Sequence, residues 1–241
     1  MKIPSLVDML KAGVHFGHQV SRWHPKMAPY IFTNRSGIHV IDLEKTQEKL
    51  EETLAAVKKM AVDGKTILFV TTKPQAREIV KKAALACDSP YLVGRWVGGL
   101  LTNFPEIKKS IKKYVSLKEQ QASGELERYT KKEQLRIAKQ LEKMELTLGG
   151  LSKITKIPDV IFVSAMQREK TAVTEANRTG VEIVGICDTN ANPIKADFII
   201  PANDDAVNSI TMMVDLVSDA VKAGKAMAEK NTPKEMPAKK V

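Results

Sequence analysis

Short apolar runs, bounded by turn residues and separated by helical patterns, leave this chain few folds to adopt. Thr66-Ile-Leu-Phe-Val70, Val160-Ile-Phe-Val163, Ile183-Val-Gly-Ile186 and Phe198-Ile-Ile200 each read as a strand. They are apolar at consecutive positions, so both faces need cover. Tyr91–Val93 and Ile38–Ile41 read as further short strands. Leu43, Leu50, Leu54 and Val57 mark a long amphipathic helix from Asp42 to Gly64. A second helix is predicted over 73–87, with Pro74 in its first turn, and others over 169–179 and from about 206 to 228. Strands alternating with helices imply a parallel sheet covered on both sides, joined by right-handed crossovers.

Residues 104–150 break that rhythm. Ile107, Ile111 and Tyr114 follow a 4,3 spacing, and Ile137, Leu141, Met144 and Leu148 follow 4,3,4. Both are apolar seams of a coiled coil. Ser123-Gly124 supplies a turn between them, Thr130 with Glu133 makes a capping box for the second arm, and Gly149-Gly150 ends it. The insert reads as an antiparallel helical hairpin whose arms would project about 30 Å. The α/β domain is therefore expected to be discontinuous, over 1–103 and 151–228. At its start, Leu6, Met9 and Leu10 mark a helix that Gly13 stops, and a loop with Pro25 and Pro29 follows. Residues 229–241 carry Pro233, Pro237, Lys239 and Lys240 and read as a disordered basic tail.

Charge narrows the function. The 241 residues carry a formal net charge of +10, which favours polyanionic partners. No apolar run approaches the ~20 residues of a membrane span, and the opening lacks the apolar core and cleavage site of a signal peptide. Cys87 and Cys187 have no paired spacing, which excludes a thiolate zinc ribbon and a disulfide framework. The expectation is a cytoplasmic protein, or one in an equivalent reducing compartment, beginning at or near Met1.

A nucleotide-dependent enzyme is the competing class, since parallel α/β sheets often hold nucleotides. The chain has no G-x-x-x-x-G-K-[ST], no G-x-G-x-x-G after a strand and no G-x-S-x-G elbow. Gly94-Arg-Trp-Val-Gly-Gly99 lies in a basic, apolar loop with no helix at the required place. Thr71-Thr72-Lys73 after a strand reads either as a phosphate site at a helix N-terminus or as a cap with an exposed lysine. No catalytic residue is assigned.

Two constellations carry chemistry. His15-Phe-Gly-His18 lacks the spacing of a zinc protease, but Asp188 and Asn203-Asp204-Asp205 lie just past the last two strands, at the carboxyl edge where open sheets bind ligands. With His18 from the N-terminal loop, Asp188, Asp204 and Asp205 would make a structural zinc site, or a magnesium site without the histidine. The alternative is capping: Asn203 as N-cap and two aspartates offsetting a helix dipole. The second constellation is cationic. Arg22, Lys26 and Arg35 lie in the early loop, and Lys108, Lys109, Lys112, Lys113, Lys131 and Lys132 on the hairpin. Dispersed cations suit RNA, which is read through backbone and shape. Taken singly, each lysine reads as part of a solvated helix face.

Several stretches in order along residues 5 to about 225 resemble one family, bacterial small-subunit ribosomal protein two. They are Leu10-Lys-Ala-Gly-Val-His-Phe-Gly-His18, Trp23-His-Pro-Lys-Met27, Gly37-Ile-His-Val-Ile-Asp-Leu43, Arg95-Trp-Val-Gly-Gly-Leu-Leu-Thr-Asn103, Asp188-Thr-Asn190 and Ile200-Pro-Ala-Asn-Asp-Asp-Ala206. The resemblance implies a flavodoxin-like sheet with a protruding coiled-coil hairpin and no enzymatic activity. It also implies binding to small-subunit ribosomal RNA and neighbouring ribosomal proteins, and help in recruiting ribosomal protein one and hence mRNA. No cofactor is required on this reading, and no membrane or small-molecule substrate is involved. Lys26, Arg95 and Asn103 lie in matching blocks and carry over as RNA or packing contacts, whereas Trp96 reads as core or interface and not as a base-stacking platform. The chain departs from the family at Ser164-Ala-Met-Gln-Arg168, where an acidic residue is common, and at Asn192, often Asp. Both departures bear on the acidic edge.

Overall fold

The computed structural model describes residues 3–231. Five strands, β4 (Ile67–Thr71), β5 (Tyr91–Val93), β6 (Val160–Val163), β7 (Glu182–Cys187) and β8 (Phe198–Pro201), form a parallel sheet in the order β5-β4-β6-β7-β8. Renumbered within the sheet this is 2-1-3-4-5, the flavodoxin-like order. Alternate residues divide the core in two, as a pleated strand requires. Phe69, Phe162, Val184 and Ile186 enter a cluster on one face, where helices α2 (Leu43–Val62), α3 (Arg77–Ala86) and α7 (Val207–Asn231) supply Leu50, Leu54, Val80, Met213 and Val217. Leu68, Val70, Ile161, Val163 and Ile183 face the other way, onto α6 (Lys170–Thr179) and the loop residues Leu100 and Leu101. Cover on both faces is why these strands tolerate no polar alternation.

Helix α1 (Leu6–Lys11) has the capping box of Ser5 with Asp8, and it buries only Met9; Leu6 and Leu10 stay exposed. The Pro25/Pro29 loop turns out to be structured. Residues 20–22 and 25–30 form 3-10 turns between β1 (Phe16–Gln19) and β2 (Ile31–Arg35), and both strands pair antiparallel with β3 (Ile38–Ile41). At the tight turn between β2 and β3, Ser36 and Gly37 have φ of 52° and 76°. Two positive φ values in a two-residue connection match the twist of a hairpin. His18 thus sits on a strand, not in a loop.

The hairpin segment folds as α4 (Phe104–Ala122) and α5 (Lys131–Leu148), and the Thr130–Glu133 capping box opens α5. Ile111, Tyr114, Leu141 and Leu148 are buried and belong to the second core cluster. Tyr114 and Lys118 both bond the Glu145 carboxylate, which ties the two arms together. Between Val115 and Gln140 no described residue is buried. Residues 229–231, expected as tail, complete α7; the remainder of that expected tail lies outside the described residues.

Candidate nucleic-acid interface and metal centre

The carboxyl ends of β4, β7 and β8 converge with β1 on one polar cluster. His18 Nδ1 lies 3.0 Å from Asp188 and its Nε2 3.3 Å from Asp205. Lys73, just past β4, pairs with Asp204 and Asp205, each at 2.7 Å. The four expected ligands do gather: one atom from each of His18, Asp188, Asp204 and Asp205 lies within 4.8 Å of the others. Asp188 is also bonded by the backbone amides of Thr189 and Asp204. Its hydrogen bond to His18 raises that imidazole's pKa, and burial only partly opposes the shift. Burial, with repulsion from Asp188, pushes the Asp204 carboxyl up to about 6. Burial acts the same way on Asp205, but Lys73 outweighs it and holds the group below the usual carboxylate range.

Asn203 is not the N-cap of α7, which begins at Val207; its Oδ1 accepts from the amides of Asp205, at 2.8 Å, and Ala206, at 3.3 Å, and so closes a turn ahead of that helix. Lys73 is the member that sequence reasoning missed, having read it as part of a phosphate site or as an exposed cap lysine and not as a partner of the aspartates. Its side chain is only 13% exposed. The signal was available, since Lys73 follows a strand and therefore shares the edge that collects Asp188 and Asp204. The Thr72 amide, the other half of that phosphate reading, is taken by the carboxylate of Glu169.

The expected cationic residues are dispersed. Arg22, Lys26, Arg35, Arg95, Lys109, Lys112, Lys113, Lys131 and Lys132 are exposed, with Lys108 partly so. Lys109 pairs with Glu106 at 2.6 Å. The other nine make no ion pair within 4 Å among the described residues. Lys108 and Lys112, and likewise Lys109 and Lys113, are one helical turn apart, away from buried Ile111 and Tyr114. Asn103 is exposed at the N-cap of α4 and makes no side-chain cap bond.

A profile of the family described as Ribosomal protein S2 matches residues 9–224. A Wolinella succinogenes protein named Small ribosomal subunit protein uS2 is 46% identical over 224 residues, covering 93% of this chain and 83% of its own length. Proteins of the same name from Parabacteroides distasonis and Bacteroides fragilis are 44% and 45% identical, each covering 90% of this chain and 78% of their own. The chain belongs to the ribosomal protein S2 family. It is accordingly a structural protein and not an enzyme, and the nucleotide-enzyme alternative is set aside.

Two further residues of this S2-family chain were missed from sequence. Glu175, on α6 and 7% exposed, accepts five hydrogen bonds, from Trp96 Nε1, the amides of Gly99, Leu101 and Thr102, and the Thr102 hydroxyl. Burial alone would raise its pKa, but these donors together hold it low. One carboxylate thereby fixes the loop 94–103 that carries Arg95. Trp96 is core, as expected, at 9% exposure. Thr189 joins the two sheets: its hydroxyl accepts from the His18 amide at 2.8 Å, and its carbonyl from the His24 amide at 2.8 Å. Of the departures from the family pattern, Ser164 bonds Thr71 in the core and Asn192 caps the turn at Pro193. Neither reaches the acidic cluster.

Proposed function

We propose that this chain is a structural constituent of the small ribosomal subunit, where it binds ribosomal RNA and neighbouring ribosomal proteins. Membership of the S2 family carries this reading. The RNA contacts are Arg22, Lys26, Arg35, Arg95, Asn103, Lys108, Lys109, Lys112, Lys113, Lys131 and Lys132. Their support is physical: apart from Lys109, which pairs with Glu106, and the uncharged Asn103, these are wholly or partly exposed cations without carboxylate partners among the described residues, free to neutralise phosphates. The hairpin, as a protruding coiled coil, offers the longest such surface. Support for recruitment of ribosomal protein one, and through it mRNA, is limited to the family resemblance. No described helix is long and apolar enough to cross a membrane.

Sucrose-gradient sedimentation of extract at low and high salt, followed by mass spectrometry, tests the assignment. Stoichiometric co-migration with small subunits is expected. Recovery only among free proteins at both salts would sink it.

No cofactor is required for this role. A structural zinc ion on His18, Asp188, Asp204 and Asp205, or a magnesium ion on the three carboxylates without the histidine, is the additional reading; the mixed nitrogen and oxygen donors suit the first and the oxygens alone the second. Lys73 already supplies one cation to Asp204 and Asp205, through Oδ1 of each, so a divalent ion would share these carboxylates with it. Metal analysis of dialysed protein decides this. Retained stoichiometric metal that is lost in Asp188→Asn supports the ion, whereas metal-free protein with an unchanged unfolding midpoint leaves Lys73 as the clamp.

A further inference from the structure

Where the sheet order reverses, between the carboxyl ends of β4 and β6, lies a cleft of about 370 Å³ lined by Thr72, Arg95, Trp96, Arg168, Glu169 and Thr171. We propose that this cleft receives a phosphate group of the RNA backbone, held between Arg95 and Arg168. This inference rests on the RNA-binding reading above and adds Arg168, named so far only as the end of the run that departs from the family pattern.

The position is one at which open α/β sheets accept ligands. Both arginines are exposed, and neither forms an ion pair within 4 Å among the described residues. Two guanidinium groups on one cleft repel each other unless an anion joins them, and their planar forks fit phosphate oxygens. The carboxylate in the cleft does not supply that anion. Glu169 is 2% exposed and is turned to the Thr72 amide. Its burial also pushes its pKa up.

The loop geometry points to backbone and not to base. Trp96 has its indole N–H bound to Glu175 and its ring buried, so it offers no face for base stacking. Arg95 is held on a loop already fixed by Glu175, so ordering it costs little on binding. Arg95 also borders a second cleft, of about 460 Å³, that contains Arg77 and Lys81 and runs beside α5. Of the two acidic groups there, Glu145 is engaged by Tyr114 and Lys118, which leaves the exposed Glu78 against Arg77, Lys81 and Arg95. A single phosphate ester would use only the first cleft, whereas an RNA strand can follow the cations from one to the next.

The test uses the full chain, rebinding to small subunits washed free of it, with occupancy measured across a salt series. Arg95→Ala with Arg168→Ala should weaken rebinding at least about tenfold and flatten the log–log salt slope by about 1 for each arginine removed. The double lysine variant should recover part of the loss, since it keeps charge but not the fork. Both positions are exposed, so an unchanged urea midpoint is expected and shows that the variants are folded. Wild-type rebinding by the double alanine variant overturns the proposal. If Lys112, Lys113, Lys131 and Lys132 changed to alanine still weaken rebinding, RNA binding survives without the cleft. Failure of the unaltered chain to rebind at any salt defeats the RNA reading itself. Titration of the isolated chain with inorganic phosphate and with AMP separates the sources. Saturable AMP binding lost in the double alanine variant, with subunit rebinding untouched, would assign the cleft to a small anion and overturn the RNA assignment.

Discussion

Two residues show how tightly the site is built. Gly17 lies where β1 passes Thr189; a Cβ there would stand 2.6 Å from Thr189 Cγ2 and 2.9 Å from the His39 carbonyl oxygen. Neither neighbour is the free end of a long side chain, so the strand itself must move. Gly17→Ala should cost about 1–3 kcal/mol, as overpacking does, and should loosen the bond between the His18 amide and Thr189; urea unfolding measures it. Glu175 gives a pH dependence. Its folded-state pKa lies below the ordinary 4.5, so its contribution is complete above that pH and is lost as pH falls through the folded value. Trp96 fluorescence should therefore report loop loosening in acid. Glu175→Gln should cost about 2 kcal/mol at neutral pH, the scale of hydrogen bonds to a charged group, and should remove that acid step. An unchanged acid step in the variant would count against Glu175 as its source.

At the scale of elements, the hairpin divides into a base and a tip. Ile111, Tyr114, Leu141 and Leu148 make the base part of the second core cluster, while no described residue from 116 to 139 is buried. Replacing residues 119–136 with a short Gly-Ser turn should leave the unfolding free energy within about 1 kcal/mol of wild type, since surface changes away from the core cost little. The same change removes Lys131 and Lys132 and should lower occupancy on small subunits. A large loss of stability would show that the tip supports the fold. The periodicity of this segment was legible because both arms repeat their apolar residues at 4,3 steps. The early loop was harder to read. Strands β1 and β2 are largely exposed, and without a buried face they have no clean alternation to betray them.

In the whole molecule the small antiparallel sheet buries Ile41 alone among the apolar residues of its strands, and it is fastened to the carboxyl edge of the large one. Thr189 holds the amides of His18 and His24, and Asn203 bonds the Gly13 carbonyl at 3.1 Å, with its own amide on Val14. The two parts should unfold together. Trp23 lies over His39 in the small sheet, with ring centroids 5.2 Å apart, and Trp96 lies in the large-sheet loop. Single-tryptophan variants followed in urea should give coincident transitions. An earlier transition at Trp23 would mean that the fastening is weak.

Apolar periodicity determined the large sheet, its covering helices and the two helices α4 and α5, because burial on one or both faces imposes a repeat that a reader can count. The carboxylate edge was legible for the related reason that residues following parallel strands must collect at one end. Tertiary structure alone decided that Lys73 turns inward to Asp204 and Asp205, that Glu175 gathers the 94–103 loop, and that Arg168 shares a cleft with Arg95. Each of these depends on residues 73 to more than 130 positions apart in the chain. A polar side chain carries no period, and its partner is chosen only when the packed core brings distant strand ends within hydrogen-bonding reach.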